Sequence, residues 1–253
     1  MKSIALILGI FILGTGFVKG DEVENRYHRG MEAVETGQFN LAVQEFERIL
    51  QSGWESSSLL YNLGNAYFRQ NNIAGAVWAY EKCLELDPGF QDAIYNLSLV
   101  NLKVKDRVDV PPAPMYLQFY RHLKQQFTPD RWVFICSVWL VLFTVFRMIR
   151  IIKRWDQIRA MKITEHIFVV LLILSVLISA HAINDDLRIK QGIIYSDSVT
   201  ATSEPKSYST PLFEVHEGLK VIVIDQIQDW VEIRLIDGKT GWVSEREVRL
   251  LQE

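Results

Sequence analysis

The sequence predicts a multidomain membrane protein: an all-α domain of helix-turn-helix repeats, two transmembrane helices and a small all-β barrel, in that order. Three observations carry this. Between residues 21 and 110, small and aromatic residues recur at a spacing of 34. Two almost purely apolar runs come next, separated by a stretch rich in Lys and Arg. After residue 190 the hydrophobic period changes from helical to two.

The N-terminal MKSIALILGIFILGTGFVKG has a short positive start at Lys2, an apolar stretch from Ile4 to Val18 and a small-residue exit at Gly20. This is the pattern of a signal peptide over 1–20, cleaved before Asp21. Lys19 is unusual in a cleavage region, so an uncleaved anchor is the alternative. Both readings export the chain beyond Gly20. No cysteine comes after the apolar stretch, which excludes a lipoprotein anchor.

Residues 21–107 hold two repeats, 23–56 and 57–90, and a capping helix. Gly30 recurs as Gly64, Ala42 as Ala76 and Phe46 as Tyr80. Glycine and alanine let two helices approach closely, and the aromatics fill the volume around them. Pro88 ends the second helix of the clearer copy. In Leu60, Leu63, Gly64 and Tyr67, then Ala76, Tyr80, Cys83 and Pro88, the chain resembles the tetratricopeptide repeat family. A third first-type helix, QDAIYNLSLVNLKVKD, becomes polar toward its end, as a terminal cap does. The resemblance implies that an extended peptide binds the concave face, here Tyr61, Asn62, Asn65, Phe68 and Arg69, then Tyr95, Asn96 and Leu99. Asn62 and Asn96 are repeat equivalents, and an amide can both donate to and accept from a peptide backbone. Asparagine as plain repeat consensus is the competing account.

Residues 108–130 read as a proline-rich linker (VDVPPAPMY) and a juxtamembrane helix with Leu117, Phe119, Tyr120, Leu123 and Phe127 as its apolar residues. That helix is either a membrane-surface helix or a plain linker. Transmembrane helices are expected over 131–152, with Arg147 and Arg150 snorkelling to headgroups, and over 163–183. The basic turn between them, 153–162, is expected on the cytoplasmic side with its flanking arginines. The repeats and the C-terminal domain then share the exported compartment.

Residues 190–253 read as short strands. Val221 and Val223, then Val231, Ile233 and Leu235, alternate, and Asp237-Gly238 marks a tight turn before Gly241-Trp242-Val243. DWVEIRLIDGKTGWV resembles the bacterial SH3-like domain. Trp230 and Trp242 could line a groove with Tyr208 and Phe213, or both tryptophans could pack in the barrel core and rim.

A net charge of −3 gives no reason to expect nucleic acid as a partner. Two cysteines cannot build a disulfide framework, and the five histidines show no metal-ligand spacing. Catalytic and nucleotide motifs are absent from the sequence, and the carboxylates read as solvated helix positions. The expectation is a non-enzyme without cofactor or metal. The domain order resembles the E proteins of Bat aerotolerance operons. That resemblance implies partners with von Willebrand A domains and a MoxR-type ATPase system, in an aerotolerance or envelope-stress complex. The chain is therefore expected in a bacterial inner membrane, with both soluble domains in the periplasm, as a scaffold binding partner proteins. A peptidoglycan-binding envelope protein is the alternative.

Overall fold

The computed structural model describes residues 21–106, 114–153, 159–188 and 190–252. The signal-peptide expectation for 1–20, Pro111 and Pro112 of the linker and the middle of the basic turn (154–158) lie outside the described residues.

Helix α1 runs through 21–35, and is succeeded by α2 (Phe39–Gln51), α3 (Ser57–Arg69), α4 (Ile73–Leu86) and α5 (Gln91–Asn101). The 34-residue spacing is visible as packing. A Cβ added to Gly30 would run into the Phe46 ring, and one added to Gly64 would meet the Tyr80 ring at 2.6 Å. In each repeat the aromatic of the second helix therefore lies flat on the backbone of the first. The turns correspond as well. Gly37 at φ 73° and Asn71 at φ 61° hold equivalent left-handed positions, which glycine and asparagine adopt most readily. Ser56 caps α3 by accepting from Leu59 N at 3.2 Å, and Asn72 caps α4 by accepting from Gly75 N at 2.8 Å.

The third helix departs from expectation. It ends at Asn101, short of Asp106, and it does not finish as a polar cap. Its outward side keeps Ile94, Tyr95, Leu99 and Leu102 exposed. Ile94 is 42% exposed although its repeat equivalent Leu60 is 0% exposed, because α5 has no second helix of its own repeat against it. Beyond α5, Val104 turns into the core, and Asp106 accepts from the His216 backbone N–H at 2.6 Å.

Helices α6 (Met115–Gln125), α7 (Pro129–Ile152) and α8 (Arg159–Arg188) come next. Two of them, α7 and the Arg159–Asn184 portion of α8, are long and apolar enough to cross a membrane. The 24 residues of α7 rise about 36 Å, more than the hydrocarbon thickness. The two form an antiparallel hairpin. Trp139 and Phe146 pack on Phe168 at 5.7 and 5.3 Å, and Cys136 Sγ lies 3.2 Å from Ser179 Oγ. Two details differ from the sequence reading. α8 begins at Arg159, so Arg159 and Lys162 belong to its first turns and the connection is shorter than 153–162. Arg147 and Arg150 both pair with Glu165 of α8, a partner the sequence reading did not give them.

The C-terminal domain is an antiparallel sheet of β1 (Lys190–Ile194), β2 (Ser198–Thr202), β3 (Pro211–His216), β4 (Lys220–Ile227), β5 (Trp230–Arg234), β6 (Thr240–Ser244) and β7 (Val248–Leu250). Its strand order is β3-β2-β6-β5-β4-β1-β7. Alternate residues Val221 and Val223, Val231 and Ile233, and Val243 fill its core with Ile194 and Val215. Gly238 makes the β5–β6 turn at φ 94°, donating to Leu235 O at 3.0 Å.

The repeat domain and the barrel are not separate bodies. Ile193 and Leu251 are buried in the same cluster as the repeat core, and Tyr195 packs against it. Helix α4 lies between the two domains, and for that reason every residue from Ile73 to Tyr80 is buried. An α-helix apolar all round is one covered on all sides.

Candidate partner-docking faces

The repeats present α1, α3 and α5 on one side and α2 and α4 on the other. On the first side, the sequence-derived residues form an internal ladder. Asn62 Nδ2 donates to Tyr27 Oη at 2.8 Å, and one repeat later Asn96 Nδ2 lies 3.4 Å from Tyr61 Oη. Both tyrosines and both asparagines are 34 residues apart, so this rung belongs to the repeat. Asn96 also donates to Asn65 Oδ1 at 2.9 Å, which in turn accepts from Tyr80 Oη at 2.6 Å. Burial is the first cause raising the Tyr80 phenol pKa, with Tyr61 and Cys83 adding to it; Asn96 and Arg69 oppose it. Phe68 is partly buried under the Lys103 ammonium, 4.6 Å from its ring. The amides thus hold neighbouring helices together, while Arg69 and Tyr95 stand in solvent, Tyr95 at 64% exposure.

The opposite side is closed by the barrel through an ion-aromatic clamp. Arg249 of β7 stacks on Trp78 of α4, 3.4 Å from the ring centroid. Its Nη2 donates to both carboxylate oxygens of Glu47 at 3.0 and 3.1 Å. Tyr67 Oη donates to the same carboxylate at 2.5 Å. Trp78 Nε1 donates to Leu250 O at 2.8 Å. Burial works to lower the Arg249 pKa, but Glu47, Tyr195 and Tyr67 outweigh it and leave it raised. Burial drives the Tyr67 phenol upward, reinforced by Tyr195 and Glu47. The clamp therefore holds a protonated guanidinium and a neutral phenol. Lys220 with Glu81 at 2.7 Å, and His216 with Asp106 at 2.9 Å, extend the junction. Beside it opens a cleft of about 860 Å³ lined by four carboxylates, of which Glu47 and Glu55 face Arg249 and Lys82.

Of these junction residues only Tyr67 was singled out from sequence, and as a repeat position, not as a contact with the barrel. One signal was available, the unbroken apolar character of IAGAVWAY, 73–80, around a helix that needs only one buried face in a bare repeat. A second correction concerns Glu45. It is not a solvated carboxylate but a buried one, held by Arg26 at 3.3 Å, Arg29 at 3.0 Å and Arg48 at 3.2 Å.

On the barrel, the four groove candidates divide. Phe213 shares the inner side of β3 with Val215 and lies 3.3 Å from where a Gly241 Cβ would stand. Trp230 and Trp242 point outward, opposite Ser244 and Glu232 in the β5–β6 register, and are partly exposed. Tyr208 stands fully in solvent in the β2–β3 loop. The tryptophans are thus outside the barrel core. With Ile227, which pairs with Trp230 across β4–β5, they form an outward apolar patch.

Residues 57–90 match the tetratricopeptide repeat family, and residues 203–249 match the bacterial SH3 domain family. The first match covers α3 and α4, and the second covers β3 through most of β7. The other copy, α1 and α2, is tied to the repeat by the Gly30–Phe46 contact and the Tyr27–Asn62 rung. No curated protein matches the chain. Both modules are of kinds that bind proteins or cell wall rather than catalyse. Among the described residues, no group of three or more His, Cys, Asp or Glu side chains is placed to hold a metal.

Proposed function

We propose that this chain is a membrane-anchored docking protein whose repeats grip an extended segment of a partner protein on the α1–α3–α5 side. The carrying observation is the asymmetry of the repeat domain. The barrel covers the α4 side, whereas the α1–α3–α5 side leaves Arg69 and Tyr95 open beside a rigid amide ladder. A rigid surface lowers the ordering cost of binding a peptide. On this reading the soluble body faces the periplasm of an inner membrane, and the short basic turn faces the cytoplasm. The domain order supports partners of the Bat type, with von Willebrand A domains, and a MoxR-type ATPase system.

Because Asn62 and Asn96 brace the helices, the test uses Arg69→Ala with Tyr95→Ala in the full chain. Capture of native partners from detergent-solubilised envelopes should fall at least tenfold while thermal unfolding is unchanged. Undiminished capture would sink the proposal. The outward Trp230, Trp242 and Ile227 patch favours a second reading, contact of the barrel with cell wall. Saturable pelleting with purified sacculi, lost in Trp242→Ala and kept in the repeat double variant, would select it.

A further inference from the structure

We infer that α6 lies in the headgroup layer of the membrane crossed by α7 and α8, with Met115, Tyr116 and Phe119 in the acyl boundary and anionic lipid as its partner. The inference rests on reading α7 and α8 as spans. Met115, Tyr116 and Phe119 are 86%, 76% and 68% exposed, and they lie along one stripe of the helix at i, i+1 and i+4. Three large apolar side chains so exposed on one helical stripe mark a surface that something covers.

Position and charge identify the cover. Only Gln126, Phe127 and Thr128 separate α6 from α7, so its end stands within about 14 Å of the start of a span. Phe127 packs edge-on against the buried Trp132 at 5.4 Å, which fixes that corner. Tyr120 lies 5.8 Å from His181 near the end of α8, so α6 rests against the head of the hairpin and not away from it. Aromatic residues at this level are those that settle in membrane interfaces. The α6 sequence MYLQFYRHLKQ contains Arg121 and Lys124 and no carboxylate, complementary to anionic headgroups. Arg131 of α7 reaches Asp87 after α4 at 3.5 Å, so the repeat domain is tied at the same corner. An α6 seated in lipid would fix the tilt of the repeats relative to the membrane plane.

The test uses the full chain with Cys83→Ala and Cys136→Ser, reconstituted in phosphatidylcholine–phosphatidylglycerol vesicles. Nitroxides are attached singly at Phe119→Cys, Val141→Cys and Tyr208→Cys, and depth is read from oxygen against nickel-chelate accessibility. The expected order is Val141 deep, Phe119 about 5–10 Å into the boundary and Tyr208 aqueous. Replacing phosphatidylglycerol by phosphatidylcholine should shift Phe119 toward water. An aqueous Phe119 with a deep Val141 overturns the inference and leaves the spans standing. Aqueous values at both positions overturn the spans as well. A Phe119 shielded from both reagents means a protein cover and also overturns it.

Discussion

Gly64 and Cys83 show how tightly single positions in the repeat core are constrained. Any side chain at Gly64 meets the Tyr80 ring, and Tyr80 is held by its hydrogen bond to Asn65. Gly64→Ala should therefore destabilise the repeat domain by about 1–3 kcal/mol through overpacking, measured by chemical denaturation. Cys83 donates to Ser57 O at 3.2 Å, and burial, with Asp87 adding, pushes its thiol up to about 12 from 9.0. In the unfolded chain the thiol ionises around pH 9, while the folded chain keeps its proton, so the folded state is the proton-richer one above that pH. This contribution to stability is whole below pH 9 and is lost as pH climbs toward about 12. The denaturation midpoint should fall across that window, and Cys83→Ala should flatten the fall. The Asn62–Tyr27 and Asn96–Tyr61 rungs were half legible in the sequence. The spacing marked the amides, but both tyrosine partners sit on the preceding first-type helix, where no local pattern connects them.

At the level of elements, α4 carries most of what was missed. Its small residues facing α3 obey repeat logic, and its residues Ile73, Val77 and Trp78 answer to the barrel. A sequence read for one buried face assigns the second face to solvent, because the covering strand β7 lies far away in the chain. Trp78→Ala removes a buried indole, its hydrogen bond to Leu250 O and the platform for Arg249, and should cost about 3–5 kcal/mol. The same indole also blunts the β7 edge by occupying its carbonyl, where an open strand edge would invite pairing with another chain. The strands themselves were easier to read. Alternation in β4 and β5 and the Asp237-Gly238 turn depend only on near neighbours, so the sequence pattern reached them. The groove did not emerge, because strand parity sends Phe213 inward and both tryptophans outward.

Across the whole molecule, the repeat domain and barrel share a core and a clamp, so they should unfold as one unit. Calorimetry of the full chain in detergent should show a single soluble-body transition in the native protein. In Trp78→Ala it should split into two, one for the repeats and one for the barrel. Persistence of one transition in that variant would mean that the junction contributes little. Independent modules on flexible tethers gain avidity from separate reach. A fused body instead holds its faces at fixed angles, so a partner touching both must match that geometry. The domain types were legible from local motifs, and their fusion was not, because it rests on contacts between opposite ends of the sequence.

Glu47 and Arg249 are separated by 202 positions, and both helices long and apolar enough to cross a membrane lie between them. During synthesis the repeats leave the ribosome first, with Trp78 and the outer side of α4 uncovered, and their cover arrives only with the last strand. On the two-span topology proposed above, a chain that inserted just one of these helices would put β7 on the opposite side of the bilayer and leave that indole bare. On that topology the clamp closes only after both helices have inserted. A correctly threaded chain then hides Trp78, and a misthreaded one leaves it exposed.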